Sequence, residues 1–349
     1  MKSLEEFNQF IDQQLSNELK AVEQQRIAGR NWMRRMWAFS ILFFALFVLF
    51  IIWFAASSGD ARTTSGTSST QIILIVGVVI LFSIGGYAMS YFMKKQKGSD
   101  AAADFQQDFK HRVVKPIIGF IDPGLTYQPL NHASYDEFTE SGLFIKKDYH
   151  ITGNDQVYGK NGDMNFQFCD LLVTHTPLIT MRGQGPDTVF CGSYFIGQFP
   201  RYFSTPVYIL SRSGRLESWF AGSAADEGFI QTWNLGKKVL PADASFNKQF
   251  MVYSPLPEDA EQLLTPSLME RIREISGRTN AKLWLSFYNN RVYAAIDHGM
   301  DYFETTLNRS LENRKMLESF YLDFMSVLQL ANDLKSNATI WTTNAFSRS

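Results

Sequence analysis

The chain has 349 residues and a formal net charge of -1, with 45% hydrophobic, 19% charged and 15% aromatic residues. Near-neutral charge, with no basic stretch apart from the flanks of two apolar runs, excludes nucleic acid as the main partner. A mean hydropathy of -0.13 beside so many aromatics excludes a disordered chain and calls for an ordinary folded part outside any membrane segment.

In residues 3–30, Leu4, Phe7, Ile11, Leu15, Leu19, Val22 and Arg26 recur at three- and four-residue steps, which predicts an amphipathic helix. Ser3 followed by Glu6 reads as a capping box at its start. The polar side is Gln, Asn and Glu, whereas flat binding to a membrane surface calls for Lys and Arg.

Two uncharged apolar runs follow, Met36–Ala56 and Ile72–Met93. A spanning helix needs about 20 apolar residues for about 30 Å of hydrocarbon, and both runs are that long. Arg26, Arg30, Arg34 and Arg35 precede the first, and Lys94, Lys95 and Lys97 follow the second. Cationic flanks stay inside, so a helical hairpin is expected with both termini cytoplasmic and the Ser57–Gln71 loop exported. Trp32, Trp37, Trp53, Tyr87 and Tyr91 suit headgroup depth, and Gly77, Ser83, Gly85 and Gly86 allow two helices to approach closely. The first run is too long and too far inside the chain for a cleaved signal peptide.

Beyond the runs, Phe105–Phe120 reads as a helix up to Pro116, and Tyr135–Leu143 as a short element. The pattern then changes to period two, with strands expected at Phe144–Ile151, Val157–Tyr158, Met164–Val173, Thr188–Ile196 and Pro206–Leu210. Asn161-Gly162 signals a hairpin, and Asn154-Asp155, Gly183–Asp187 and Ser213-Gly214 are further turns. Phe246–Tyr253 reads as a strand, and Pro257–Ile275 as a helix that Pro266 breaks near Leu264. Lys282–Tyr288 and Arg291–Asp297 form a hairpin around Asn289-Asn290, and Leu311–Leu334 closes with a helix before a loosely held Ser/Thr-rich tail. The fold class is α+β, a transmembrane hairpin plus antiparallel sheet with packed helices. The expected divisions are 1–35, 36–93, 94–245 and 246–349.

The order of motifs resembles a bacterial two-span inner-membrane family known only as a domain of unknown function. The resemblance is carried by the N-terminal helix, the two runs, Val157-Tyr158-Gly159-Lys160, Phe166–Asp170, Val189–Phe195, Phe250–Ser254, Ala260–Glu270 and Leu285–Ile296. It implies a bacterial inner-membrane setting and no catalytic residue.

Chemistry-bearing patterns are sparse. Gly183-Gln184-Gly185-Pro186 lacks the third Gly of a phosphate cradle, and Ser211-Arg212-Ser213-Gly214 lacks the first Gly of a nucleophile elbow. Cys169 and Cys191 match no zinc spacing and read as reduced, buried thiols. The acid pairs Asp136/Glu137, Asp226/Glu227 and Glu258/Asp259 read as solvated. Among five scattered histidines, His298 is the best candidate for a titrating or metal-binding group, oriented by Asp297. No catalytic residue, metal ligand or cofactor is assigned.

Tyr194–Tyr208 is rich in aromatics around Arg201, and Arg201, Tyr202 and Phe203 are the ligand-binding candidates. The expected function is a membrane-anchored binding or scaffold module. Its partners would be membrane lipids, another membrane protein or a second copy. Recognition of a lipid-linked molecule is the alternative, and an unfamiliar hydrolase or metal enzyme a third.

Overall fold

The computed structural model describes residues 2–58, 85–87, 100–144, 148–175, 186–212, 235–279, 281–299, 310–311, 314–335 and 340–343. The chain divides into two compact units. One comprises Met1–Gln13, Val114–Glu304 and Asn313–Ser349, and the other Gln14–Val113 and Thr305–Glu312.

Helix α1 (Leu4–Phe10) opens the first unit with the expected capping box: Ser3 Oγ accepts the Glu6 N–H at 3.1 Å, and the Glu6 carboxylate accepts the Ser3 N–H at 2.5 Å. Its apolar side is anchored by stacked rings, Phe7 on Tyr321 at 4.2 Å and Phe10 on Phe120 at 4.3 Å. A π-helical turn, Ile11–Leu15, follows.

Helix α2 (Ser16–Ser58) lies in the second unit and contains the whole first apolar run. It carries an 18-residue window of mean hydropathy 1.7, none of it buried, and is long and apolar enough to cross a membrane. Trp37, Phe39, Ile41, Phe44 and Leu49 are each at least 60% exposed, an arrangement that water disfavours and hydrocarbon does not. Nearer its start, α2 meets helix α3 (Asp100–Phe109) and the turn after it. Gln25 donates to Asp108 at 2.9 Å, and Arg112 pairs with Glu18 at 2.6 Å.

Arg26, read from the sequence as part of the apolar stripe, is only 2% exposed because Glu23 receives its guanidinium at 2.6 and 2.8 Å. Glu23 also accepts the Ser310 hydroxyl at 3.0 Å and the Leu311 N–H at 3.1 Å. The second run, Ile72–Met93, lies outside the described residues except 85–87, which are helical. At that point a Cβ on Gly85 would stand 3.0 Å from Phe43 Cζ, so the missing side chain lets the backbone meet that ring.

In the first unit, α4 (Lys115–Ile121) leads into β1 (Thr126–Gln128), α5 (Tyr135–Glu140), β2 (Tyr149–Asn161), β3 (Met164–His175) and β4 (Asp187–Gln198). Then come β5 (Tyr202–Phe203), β6 (Val207–Ser211), β7 (Lys237–Val239), α6 (Ala244–Gln249), β8 (Phe250–Ser254), α7 (Pro257–Leu263) and α8 (Pro266–Thr279). The hairpin β9 (Lys282–Tyr288) and β10 (Arg291–Asp297) precedes α9 (Lys315–Lys335) and β11 (Trp341–Thr342).

Among the described residues, nine strands form one sheet in the order β1-β2-β3-β4-β10-β9-β6-β8-β7, and every pair is antiparallel. The unit is therefore α+β, and its sheet takes strands from both sides of residue 246. Successive side chains alternate between the faces. On one face Phe166 and Phe168 pack edge-on against Phe320 and Phe324 of α9. On the other, Cys169, Tyr194, Trp284 and Tyr293 enclose a core with Phe138 and Phe144.

Three local readings are corrected. Asn154-Asp155 is a bulge inside β2, with Asp155 at φ 58° and the register shifting between Asn154 and Val157. The Tyr127 hydroxyl donates to the Asp155 carboxylate, and the Asp155 N–H donates to Pro129 O at 3.2 Å, which fixes the extra residue. Phe246–Tyr253 is not one strand. Asp243 accepts the N–H groups of Ser245 (2.8 Å) and Phe246 (3.1 Å) and so caps α6, leaving β8 to begin at Phe250. The tail is not loose throughout, because β11 pairs with β5 in a second small sheet. The break at Pro266 stands as read, with Thr265 Oγ1 accepting the Leu268 N–H at 3.3 Å.

Candidate binding site

The loop that carries Arg201, Tyr202 and Phe203 is stapled to the turn between β9 and β10. Phe199 N–H donates to Asn290 O at 2.8 Å, and Phe203 N–H to Asn289 O at 2.7 Å. Asn290 returns a bond from its side-chain amide to Phe199 O at 3.1 Å. Asn289 has φ 54°, a left-handed conformation that Asn tolerates better than most residues, and this turns both carbonyls toward the loop.

The three candidates have different surroundings. Phe203 is 2% exposed, and its ring meets Phe287 at 5.6 Å, Phe199 at 6.0 Å and Trp341 at 4.6 Å. It is floor rather than contact surface. Tyr202 is half-buried, and Arg201 is exposed with its guanidinium carbon 5.3 Å from the centre of the Trp341 ring. Trp341 is the member that sequence reasoning missed. Its strand pairs with Tyr202–Phe203, and Ser204 N–H donates to Ile340 O at 3.1 Å.

His298 sits elsewhere on the same unit and is not oriented by Asp297. Asp297 Oδ1 accepts the Gly299 N–H at 3.0 Å, a local turn bond. His298 instead faces Asp323 of α9, with Nε2 2.9 Å from Oδ2. Both side chains are nearly enclosed. On that face of the sheet Ser193 also donates to Asp170 at 2.9 Å, and both residues are buried. Among the described residues, no group of three or more His, Cys, Asp and Glu is placed to hold a metal ion.

Several of the remaining sequence candidates have structural roles. Ser211 Oγ donates to Leu283 O at 2.8 Å and accepts the Leu283 N–H at 2.9 Å, which ties β6 to β9. Glu137 closes a capping box with Ser134 and accepts from Gln167 at 2.6 Å. Cys169 is buried, receives the Ala133 N–H at 3.4 Å, and its thiol titration is pushed up by burial. Glu258 and Asp259 occupy the first turn of α7, where acids favour the helix dipole. Gly183-Gln184-Gly185 and Asp226/Glu227 lie outside the described residues. An open groove of about 510 Å³ is lined by Asp122, Thr126, Lys160 and Asn165 together with the apolar Leu125 and Phe166.

Residues 188–336 match a family model described as a protein of unknown function (DUF3137). This upholds the resemblance for that stretch, and the N-terminal helix and both apolar runs lie outside it. No curated protein matches the chain. Among solved structures, the crystal structure of the mycobacterial trehalose monomycolate transport factor A, TtfA, is similar with a TM-score of 0.31 and 9% identity, over 65% of this chain and 93% of that chain. A likeness of that size bears on neither fold nor function.

Proposed function

We propose that the chain is a membrane-anchored binding module acting at the inner face of a bacterial cytoplasmic membrane, with both termini inside. The carrying observation is the apolar window of α2, none of it buried, in a chain that also carries an antiparallel sheet unit. The second run completes a hairpin in this reading, and the contact of Gly85 with Phe43 supports it. The partner is another membrane protein or a second copy. Protease added to intact spheroplasts should spare the sheet unit, and its digestion there would overturn the topology. Crosslinking in membranes should capture a partner. Recovery of monomer alone, with no co-purifying protein, counts against the binding role.

Recognition of a lipid-linked molecule at Arg201 and Tyr202, over the Phe203 floor, is the second reading. The exposed guanidinium beside an indole favours it, since that pair offers a cation next to an apolar surface. Native mass spectrometry of the detergent-extracted protein should show bound lipid that Arg201→Glu reduces.

A further inference from the structure

We infer that Cys191 is an activated nucleophilic thiol, with His298 as its base and Asp323 as the positioning residue, and that it accepts an acyl group from a thioester. This goes beyond the anchored binding module and is independent of it.

The three side chains meet on the face of the sheet that α9 covers. Asp297 of β10 pairs with Gly192 of β4, so the next residues outward, His298 and Cys191, stand opposite each other. The main chain agrees, because the Cys191 carbonyl accepts the N–H groups of His298 at 3.1 Å and Gly299 at 2.9 Å. Gly192 lets the strands close in: a Cβ there would collide with Ile296 O and stand 3.0 Å from His298 N. Facing residues of an antiparallel pair have Cβ atoms about 5 Å apart, near enough for a thiol to reach an imidazole. Phe166, Phe168 and Asp170 alternate onto the α9 face of β3, and Cys191 and Ser193 onto that of β4, where Ser193 donates to Asp170. His298 is placed on the same face by Asp323 of α9 itself.

The thiol is the outermost of the three. Cys191 is half-buried, and Leu172, which pairs with it on β3, is 41% exposed, so a reagent can arrive there. His298 and Asp323 are nearly enclosed. A carboxylate at Nε2 holds the N–H on that nitrogen and makes Nδ1 the basic one. A nucleophile within reach of a base, with the base oriented by a third group, is the arrangement that activates a thiol.

Among the described residues these groups do not converge on a metal position. The chain's other cysteine, Cys169, lies in the core of the opposite face, so a disulfide between the two cannot form without unfolding the sheet. Group transfer to sulfur is the chemistry left. The Sγ proton passes to Nδ1, and the thiolate attacks the thioester carbonyl to form a new C–S bond. As the original C–S bond breaks, the departing thiolate takes the proton from the imidazolium. One C–S bond replaces another, and no oxidant or reductant is consumed. Exposed Leu172 offers the acyl chain an apolar surface.

The test uses the full chain in detergent, with peptide mapping to tell Cys191 from Cys169. An ordinary thiol is only a few per cent thiolate at neutral pH. Native Cys191 should therefore react with iodoacetamide about tenfold faster than the same cysteine in the urea-unfolded chain, although burial alone would slow it. The acyl probe is octanoyl-N-acetylcysteamine. One octanoyl group is expected on Cys191, removable by hydroxylamine, and none on Cys169. His298→Gln should lower both rates about tenfold or more. Asp323→Asn should lower both and weaken the ultraviolet thiolate band, each protein being read against its own Cys191→Ser form.

Native Cys191 that alkylates no faster than the unfolded chain overturns the inference. That comparison needs no variant, so it decides even if His298→Gln or Asp323→Asn does not fold. A fast thiol that takes no octanoyl group overturns the acyl acceptor, and a folded His298→Gln with unchanged rates overturns the base. The spheroplast and crosslinking experiments do not involve this thiol, so failure here leaves the anchored module standing.

Discussion

Asp323, midway along α9, brings a carboxylate oxygen to 2.9 Å from Nε2 of His298 at the exit of β10, with side chains 3% and 5% exposed. Twenty-five residues apart in sequence, these two groups connect the helix layer to the sheet through a nearly dry polar contact. Removing one partner takes a buried polar contact from the other, which costs about 1–3 kcal/mol, whereas replacing both with apolar groups is close to neutral. Asp323→Leu should therefore lower the denaturation midpoint strongly, and Asp323→Leu with His298→Leu should recover most of it. Additive losses in a double-mutant cycle would show that the pair is not coupled.

Glu23 gathers Arg26, Ser310 and the Leu311 N–H in the second unit. The Arg26 guanidinium holds its carboxyl below the usual range, ahead of the opposing effect of burial. A depressed carboxyl stabilises the fold above its unfolded pKa, and that stability fades as pH falls through the folded value. Glu23→Ala should cost about 1–3 kcal/mol, since it removes the charge-assisted hydrogen bonds that Arg26, Ser310 and Leu311 make to that carboxylate. Limited proteolysis should then cut near Ser310 faster than in the parent protein, and mild acid should speed cutting in the parent alone.

Burial raises the phenols of Tyr149 and Tyr321 from 10.0 to about 12. Because the unfolded chain releases these protons more readily, stability is intact below pH 10 and declines as pH rises toward 12. Absorbance at the phenolate band should lag the ordinary tyrosine curve until unfolding begins. A curve with every tyrosine titrating near 10 would contradict the burial.

Cys169 is 1% exposed and burial opposes its thiolate, the form that reacts. Iodoacetamide on the native protein should leave Cys169 unmodified at mildly alkaline pH, and peptide mapping should find it alkylated only after denaturant. Labelling in the native state would mean that the sheet opens locally there.

Local patterns were legible in the sequence, and pairings between distant segments were not. The Ser3–Glu6 box, the Asn289-Asn290 hairpin and the break at Pro266 each depend on neighbours within a few residues, and each stands as read. Asp243 as a cap was equally local, but the apolar alternation of Phe246–Tyr253 masked it. Asp323 carried a faint signal, an acid set among Phe320, Tyr321 and Phe324, yet nothing in the sequence pointed it at His298. Trp341 had less: a two-residue strand among Ser, Thr and Asn has no periodicity to detect. The aromatic loop stood out in the sequence by composition, while the burial of Phe203 required knowing which distant ring would cover it.

Helix α2 has no break between its Glu23–Arg26 anchor and the exposed apolar stretch beyond Met36. A continuous α-helix is stiff in twist, so the two ends are phased like marks on a single shaft. Adding one residue between Arg30 and Met36 would turn the exposed apolar rings by about 100° relative to the Glu23–Arg26 anchor and shift them by about 1.5 Å along the axis. The spacing along this rod is thus a built-in coordinate that any length variant must keep, whatever residues it uses.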